Sequence, residues 1–194
     1  MYLMNKPRGN KKIINSYAVI NLNNDSFVDG IIEGIDETWK DSTIVSGYSD
    51  AHKSDIRTNT EQKIKINSFG DPIVPIINVI DSINHDFWNF DLTGINLGED
   101  HPSIFRYNKG QKFDWHFDVT HKAPTRKLGF SFQLSSSEDY EGGDLEIFGC
   151  SSDPKFREKG ALIVFPSYVW HRVTPVTKGE RIAMVGWIHG PTFQ

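Results

Sequence analysis

The sequence predicts a mainly β fold with flanking helices, of the sandwich or jelly-roll type. Two observations predict it: apolar residues recur at helical spacing only in the first half of the chain, and short strand-like runs fill the part after Asp91. The 194 residues, of which 38% are hydrophobic and 12% aromatic, suffice for the core of one domain. Because the sequence contains no repeat and no long linker, we expect a single domain over residues 1–194, with a flexible terminus at residues 1–12.

The first half of the chain begins with a predicted strand and a predicted helix. Ser16–Leu22 is apolar enough for a short strand. Asn23 or Asn24 can then cap a helix at about Ser26–Trp39, because an asparagine side chain accepts a hydrogen bond from a free backbone N–H of the first turn. The apolar residues of this helix recur at helical spacing. They are Phe27, Ile31, Ile35 and Trp39.

A second helix is predicted at about Pro72–Trp88. Asp71 would cap it, and Pro72 would occupy its first position, where the missing N–H of proline costs nothing. Pro75 falls in the first turn and is tolerated for the same reason. We expect both helices to pack on one sheet. The isoleucines that form the buried face of the second helix are Ile73, Ile76, Ile77, Ile80 and Ile83.

The second half of the chain contains short strands separated by Gly, Pro, Asp and Ser. In Lys127–Leu134 apolar and polar residues alternate, so one face of this strand is apolar. Glu141–Asp144, with two adjacent glycines, is a turn between two strands. Many short strands at this spacing are typical of a sandwich or jelly roll. The predicted strands are Ile104–Tyr107, Lys127–Leu134, Asp144–Phe148, Ala161–Phe165 and Arg181–Ile188.

Charge and cysteine content limit the partners and the location of the protein. The net charge is −4 and the isoelectric point is about 6.0, which argues against nucleic acid or an anionic membrane as a partner. The single cysteine, Cys150, cannot form an intrachain disulfide, so a reducing compartment is expected. No segment has the pattern of a signal sequence or the apolar length of a membrane span. We therefore expect a cytoplasmic protein.

His116 and Asp118 are the first candidate metal ligands. They flank Phe117 in a strand-like run, and residues two apart in a strand point to the same face. With 7 histidines and 25 acidic residues in the chain, such a pair arises by chance about once. The pair alone therefore does not establish a metal site.

His171 adds a third candidate ligand. It follows a buried strand and a proline turn, Ala161–Pro166, and lies 53 residues after Asp118. Two imidazoles and one carboxylate form the facial triad of non-haem iron enzymes, which leaves coordination positions open for a cosubstrate and oxygen. A structural zinc site would need a fourth ligand, usually a cysteine, and Cys150 has no cysteine partner.

Arg181 is the candidate binding residue for an anionic cosubstrate. It lies ten residues after His171 and shares one strand face with Trp187. If this face lines the metal cavity, the guanidinium group is buried and needs an anion. A dicarboxylate would supply one, with paired charge-assisted hydrogen bonds. An exposed arginine at a strand end is the alternative interpretation. Trp187 fits a wall of the metal pocket or a core position.

Three segments together resemble the 2-oxoglutarate/iron(II) dioxygenases, in particular their prolyl 4-hydroxylase-like branch with its bacterial and phage-type relatives. Tyr107–Asp118 is similar to that branch's approach to the metal motif, and Asp139–Leu145 is similar to its turn into the next strand. His171–Arg181 resembles its second metal and cosubstrate motif. The resemblance covers roughly Ile104–Pro191.

The resemblance implies a fold and a set of site residues. The fold would be a double-stranded β-helix (jelly roll, cupin-like). Arg181 would bind the distal carboxylate of 2-oxoglutarate, and Tyr107 would donate its hydroxyl hydrogen to the same cosubstrate. Gln133 is a third implied contact, with a polar core residue as the alternative. The implied iron(II) ligands are His116, Asp118 and His171.

The implied reaction is hydroxylation of an unactivated C–H bond, with 2-oxoglutarate as cosubstrate and oxygen as oxidant. Prolyl 4-hydroxylation of a peptide or protein is the leading expectation, and L-ascorbate is a further candidate cofactor. A free amino acid or another small metabolite stays open as the substrate. The sequence does not predict the oligomeric state.

Three other functions stay open. A related oxygenase acting on nucleobases would carry a second arginine six residues after the first, where this chain has Trp187. A non-catalytic cupin-like metal-binding barrel would not need all three ligands and Arg181. A zinc hydrolase would need a general base near the metal instead of Arg181.

Thr43–Thr60 fits an exposed loop or a lid. The histidines that we place at the surface are His52, His85, His101, His121 and His189.

Overall fold

The computed structural model describes residues 16–36, 38–43, 55–64, 72–96, 100–150 and 153–193. The predicted flexible terminus at residues 1–12 lies outside this part of the chain. The helices of the described part are α1 (Asp25–Glu33) and α2 (Ile73–Phe87), with a short 3₁₀ helix at Pro154–Arg157.

Most of the strands follow the two helices, as the sequence predicts. They are β1 (Ala18–Asn21), β2 (Lys40–Asp41), β3 (Thr60–Lys63), β4 (Ser103–Tyr107), β5 (Phe113–His116), β6 (Arg126–Gln133), β7 (Tyr140–Gly142), β8 (Leu145–Ile147), β9 (Ala161–Pro166), β10 (His171–Val173), β11 (Val176–Gly179) and β12 (Arg181–His189).

Three antiparallel sheets form from these strands. The major sheet has seven strands in the order β1-β9-β6-β12-β4-β3-β2. The minor sheet has three, in the order β5-β10-β8, and β11 pairs with β7 in a separate ribbon. Strands that are neighbours in the major sheet, such as β6 and β12, lie far apart in sequence. This order therefore depends on long-range pairing.

One face of the major sheet packs against both helices. The alternation predicted for Lys127–Leu134 is present, and its apolar residues are at most 1% exposed. Phe132 contacts Phe27 of α1, with 5.9 Å between ring centroids, and the isoleucines of α2 complete the same cluster. Removing this apolar area from water drives the helices onto the sheet. The mainly β fold with two helices on one sheet is thus confirmed. The apolar residues of this alternation are Leu128, Phe130, Phe132 and Leu134.

The opposite face of the major sheet packs against the minor sheet. A second apolar cluster lies between the two sheets, and it contains Phe165 from β9 and Ile147 from β8. The polar members of β6, among them Ser131 and Gln133, are also buried. Buried polar side chains between two sheets need partners, so this space is where a ligand site is expected.

The helix boundaries differ from the predicted ones. Asn24 caps α1, because its side chain accepts a hydrogen bond from the Phe27 N–H at 3.1 Å. The helix ends at Glu33, and the prediction that it continues to Trp39 is wrong. The N–H of Gly34 bonds to the carbonyl of Ile31 at 3.1 Å, a spacing of three residues that tightens and ends the last turn.

The second helix and the glycine turn are close to prediction. In α2 Pro72 occupies the cap position rather than the first helical position, and the predicted cap Asp71 lies outside the described residues. Gly142 and Gly143 both have positive φ angles, 68° and 62°, which glycine adopts without steric cost. The turn joins β7 to β8, but these strands pair in different sheets.

Within the described chain, neither helix combines the length and apolar character required to cross a lipid bilayer.

Candidate active site

The three candidate metal ligands lie together at one end of the minor sheet. His116 ends β5 and His171 begins β10, and the two residues are direct partners across the strands. His116 Nε2 lies 3.7 Å from one Asp118 oxygen, and His171 Nε2 lies 3.7 Å from the other. All three ligand atoms fall within 4.8 Å of one another. This spacing suits one metal ion between them.

Asp118 reaches the site in a way that the sequence did not predict. Strand β5 stops at His116, so the prediction that Asp118 shares a strand with His116 is wrong. The chain bends instead, and the Asp118 N–H donates to the carbonyl of Ser167 at 2.8 Å. Ser167 directly follows β9 of the major sheet. The carboxylate is therefore positioned by a contact between the two sheets.

Backbone carbonyls orient both imidazoles. The Nδ1 atom of His116 lies 2.7 Å from the carbonyl oxygen of Asp114, and that of His171 lies 2.9 Å from the carbonyl oxygen of Val169. A carbonyl only accepts, so in the neutral form of each ring Nδ1 carries the hydrogen and Nε2 keeps its lone pair. Both lone pairs then face the Asp118 carboxylate, as ligands of a shared cation require.

The protonation states also suit a divalent cation. Burial, followed by the neighbouring His171, lowers the pKa of His116 to about 3. Burial raises the pKa of Asp118, but the imidazoles of His171 and His116 and the guanidinium of Arg126 outweigh it and hold that pKa below its ordinary value. Neutral imidazole and ionised carboxylate are the forms that bind metals.

Close packing restricts the movement of the ligands. Phe113 stacks on the ring of His116, with centroids 3.5 Å apart and planes 10° apart, and Phe165 packs on His171 at 4.4 Å. At Gly129 a Cβ atom would lie 2.8 Å from both the Asp118 carboxylate and the Phe165 ring. A glycine is required there because these two side chains already fill the space.

Arg181 lies at the start of β12, opposite Tyr107 of β4. It is 2% exposed, which excludes the interpretation as an exposed strand-end arginine. Within the described part of the chain it forms no salt bridge, and Nη2 donates a long hydrogen bond of 3.4 Å to Ser131 Oγ. A buried cation without an anion is costly. The position thus fits a carboxylate brought by a ligand.

Tyr107 and Gln133 are buried beside Arg181. The Tyr107 ring centroid lies 5.5 Å from the guanidinium carbon, and burial raises the pKa of its phenol, so the hydroxyl stays a donor. The amide nitrogen of Gln133 donates to the Ser135 carbonyl and to the Tyr140 hydroxyl, each at 3.3 Å. Its Oε1 has no partner in the described structure. The role of Gln133 as a cosubstrate contact stays a prediction.

A cavity of about 500 Å³ opens onto His116 and Asp118, and it is lined in part by residues that no sequence motif indicated. Arg126 pairs with Asp100 through two contacts of 2.5 Å and donates to the Asp118 carbonyl at 3.2 Å. Its guanidinium carbon lies 3.6 Å from the Trp187 ring centroid, which places Trp187 in the pocket wall. A long-range pair of this kind leaves no signal in the sequence.

The expectation that His189 is a surface residue is wrong. It is 7% exposed and lines the same cavity, with Nε2 at 3.3 Å from Asp100 and Nδ1 at 2.9 Å from the Thr125 hydroxyl. The sequence held a signal for this position, because His189 continues the alternation of Arg181 and Trp187 along β12. His85 and His121 are exposed, as predicted.

The predicted lid at Thr43–Thr60 falls partly outside the described residues, since residues 44–54 are not among them. Residues 55–58, which follow this gap, lie alongside β5 and extend the minor sheet. The Asp114 N–H donates to the Ile56 carbonyl at 2.8 Å, and the Thr58 N–H donates to the Lys112 carbonyl at 3.0 Å. Residues 55–58 are therefore tied to the strand that carries His116.

Residues 102–189 match the model of the 2OG-Fe(II) oxygenase superfamily. A PKHD-type hydroxylase of Idiomarina loihiensis is 39% identical over 88 residues, which cover 44% of this chain and 40% of that protein. A PKHD-type hydroxylase of Gloeothece citriformis is 33% identical over 101 residues, 50% of this chain and 46% of that protein. The chain thus spans less than half of these relatives. The resemblance to the superfamily is confirmed over this segment.

Solved structures share the whole fold. A prolyl 4-hydroxylase of Pseudomonas putida superposes with a TM-score of 0.66 at 17% identity, covering 92% of this chain and 94% of that one. A prolyl hydroxylase of Trichoplax adhaerens gives a TM-score of 0.68 at 18% identity, covering 91% and 84%. Identities this low show likeness of fold. The predicted double-stranded β-helix is confirmed.

Proposed function

We propose that this chain is an oxidoreductase, an iron(II)- and 2-oxoglutarate-dependent dioxygenase that hydroxylates an unactivated C–H bond. The observation that carries the proposal is the buried Arg181, which has no carboxylate partner in the described chain and lies on the strand beside Tyr107. Such a cation fits a ligand that brings its own carboxylate. 2-Oxoglutarate has one carboxylate for this arginine and a keto acid group at its other end for a metal.

The metal would be held by His116, Asp118 and His171. In the described residues this group of potential ligands contains no fourth side chain, and an incomplete set of protein ligands is typical of a catalytic rather than a structural metal. When bound, iron(II) supplies the activation of oxygen that couples conversion of 2-oxoglutarate into succinate and carbon dioxide to hydroxylation of the substrate.

The side chains around the ligands have three tasks. Arg181 and the protonated Tyr107 bind and orient the cosubstrate carboxylate. Phe113 and Phe165 fix the two imidazole rings by direct packing. The Trp187 ring, covered by Arg126, forms an apolar wall that keeps water from the reacting atoms.

Peptidyl proline is the proposed substrate. The similarity to PKHD-type hydroxylases and prolyl 4-hydroxylases supports this choice. The structure of the Trichoplax adhaerens relative contains a peptide fragment of hypoxia-inducible factor, which supports a polypeptide rather than a free amino acid. The cavity, about 500 Å³ in volume, has room for one side chain of a longer chain. A small metabolite or a nucleobase is the alternative.

The proposal extends to the location and to one further cofactor. The single cysteine, which cannot form an intrachain disulfide, supports a cytoplasmic protein. L-ascorbate is proposed as a cofactor that sustains turnover, on the basis of the family resemblance, and omitting it from the assay tests this point.

Succinate formation under air tests the proposed reaction. The protein is incubated with iron(II) and 2-oxoglutarate, and the wild type is compared with His116→Ala and Arg181→Ala. Slow turnover without substrate is expected for the wild type and is expected to vanish in His116→Ala. Arg181→Ala is expected to require far more 2-oxoglutarate, because the carboxylate of the cosubstrate loses its cationic partner.

Controls separate this reaction from the alternatives. Phe87→Ala, on α2 and outside the site, is expected to behave as the wild type. A non-catalytic metal-binding barrel would bind iron(II) without forming succinate. A zinc hydrolase would act without iron(II) and 2-oxoglutarate. Absence of both succinate formation and 2-oxoglutarate binding would refute the proposal.

A further inference from the structure

Three exposed aromatic side chains lie side by side across the end of the minor sheet. Phe117 follows β5, Trp170 precedes β10 and Phe148 follows β8, and they are 41%, 47% and 69% exposed. His171 pairs with His116 on one side and with Ile147 on the other. Because both pairings are antiparallel, Trp170, which precedes His171, lies between Phe117 and Phe148, which follow the two partners. We call Phe117, Trp170 and Phe148 the aromatic row.

Direct contacts hold the aromatic row together. The ring centroids of Phe117 and Trp170 are 5.1 Å apart, and the Phe148 N–H donates to the Trp170 carbonyl at 2.9 Å. Trp115 of β5 supports the far end, with its ring centroid 5.7 Å from that of Phe148. The row is therefore an ordered surface rather than three isolated side chains.

The aromatic row is continuous with the candidate active site. Phe117 and Trp115 line the cavity that contains His116 and Asp118. Phe117 is the member of the row that lines this cavity, and its contact with Trp170 leads from the cavity to the rest of the row. A small metabolite buried in the cavity would leave the row exposed to water, so the row indicates a longer ligand.

Two basic side chains near the aromatic row are already paired. Arg172 bonds to Glu146 at 2.6 Å and covers Trp115 at 4.8 Å. Lys112 bonds to Asp114 at 3.1 Å. A strand of nucleic acid requires cations that are available for its phosphates. The row instead matches an uncharged, apolar ligand.

The size of the aromatic row favours a peptide segment over a second protein surface. With about 200 Å² per aromatic side chain, the exposed fractions of its three members amount to about 300 Å². A stable dimer buries about 800 Å² on each partner. A proline-rich segment needs less, because its extended conformation is already formed and it docks between aromatic rings at little entropic cost.

We propose that the aromatic row binds an extended, proline-containing segment of the polypeptide substrate, next to the residue that enters the metal cavity. This inference rests on the proposed function and names the feature that the enzyme recognises in its substrate. The row then contributes affinity for flanking prolines, while Arg181 and the metal ligands bind the cosubstrate and perform the reaction.

Binding of a labelled peptide tests the aromatic row. The probe is a fluorescent 12-residue peptide that alternates proline and alanine, titrated by anisotropy against protein loaded with manganese(II) and 2-oxoglutarate under nitrogen. Phe148→Ala and Trp170→Ala are each expected to weaken binding about tenfold. Trp170→Phe is expected to retain most of the affinity. Phe87→Ala is the matched control, an exposed phenylalanine on α2, and is expected to bind as the wild type.

Several outcomes would overturn the inference. Unchanged peptide affinity in both alanine variants would do so, as would equal binding of an alanine-serine peptide. Row-dependent binding of a single-stranded oligonucleotide would assign the surface to nucleic acid. A dimer in light scattering that Phe148→Ala dissociates would assign it to a second copy.

The two proposals can fail separately. If the wild type binds 2-oxoglutarate but not the proline peptide, the aromatic row is not a docking surface and the proposed reaction stands. If the peptide binds in a manner that depends on the row and 2-oxoglutarate does not bind, the row is supported and the proposed reaction is refuted.

Discussion

Replacing Arg181 with methionine is expected to weaken cosubstrate binding and to stabilise the ligand-free protein. Methionine fills much of the same volume without a charge. Loss of one member of a buried charge pair costs about 2–5 kcal/mol. At about 3 kcal/mol the dissociation constant of 2-oxoglutarate would rise roughly 150-fold.

The gain in stability follows from the surroundings of Arg181. The side chain is 2% exposed, and in the described structure its guanidinium has the 3.4 Å contact to Ser131 and no carboxylate. Without the cosubstrate, folding therefore buries an unpaired cation, and an apolar replacement removes that cost. A gain of about 2 kcal/mol would raise the Tm by roughly 4–8 °C in a chain of this size.

Two measurements check these opposite effects. Calorimetric titration of the manganese(II)-loaded protein gives the 2-oxoglutarate affinity, and thermal unfolding in the presence of a chelator gives the stability. Arg172→Met is the control, since Arg172 is partly exposed and paired with Glu146. A variant at Arg181 that keeps wild-type affinity, or that unfolds several degrees lower, would show that this arginine is structural.

Three further predictions concern the proposed metal centre. Gly129→Ala is expected to lower manganese(II) affinity at least tenfold, because its Cβ would lie 2.8 Å from the Asp118 carboxylate; unchanged calorimetric affinity would contradict this. Arg126→Gln is expected to weaken metal binding about 10–100-fold by releasing the Asp118 carbonyl, with Arg172→Gln as the matched control in the same titration. The metal-free protein is expected to lose stability as the pH falls from 6.5 towards 3, since unfolding raises the pKa of His116 from about 3 to its ordinary 6.5. The unfolded state then binds one more proton than the folded state, so the free energy of unfolding falls by about 1.4 kcal/mol per pH unit. Chemical denaturation at a series of pH values measures this slope, and equal slopes for the wild type and His116→Gln would refute the prediction.

Local patterns predicted the parts of the fold that depend on nearby residues. The alternation in Lys127–Leu134 identified the face of β6 that is now at most 1% exposed, because the period of two is a property of the strand itself. The helix cap was predicted at Asn23 or Asn24, because an asparagine side chain can accept a hydrogen bond from an N–H of the first turn, and Asn24 forms it. The end of α1 was not, because Trp39 continues the helical spacing while its ring packs under Arg106 of β4, 4.0 Å from the guanidinium carbon.

Long-range contacts explain what the sequence could not predict at the site. The motif indicated His116 and Asp118, but a bend and the Ser167 carbonyl bring them together, and neither is visible as a pattern. Arg126 and Asp100 form their pair 26 residues apart. Short strands such as β10, with three residues, acquire their register only from the sheet.

The origin of the ligands suggests a link between metal binding and folding. His116 and His171 belong to the minor sheet, whereas Asp118 is held by the residue after β9 of the major sheet. Burial opposes the negative charge of the Asp118 carboxylate, and without a cation the neighbouring His171, His116 and Arg126 offset that cost. A bound cation compensates this charge and joins both sheets at once. Because the unfolded chain cannot present the three proposed ligands at this spacing, the free energy of metal binding would add directly to that of folding.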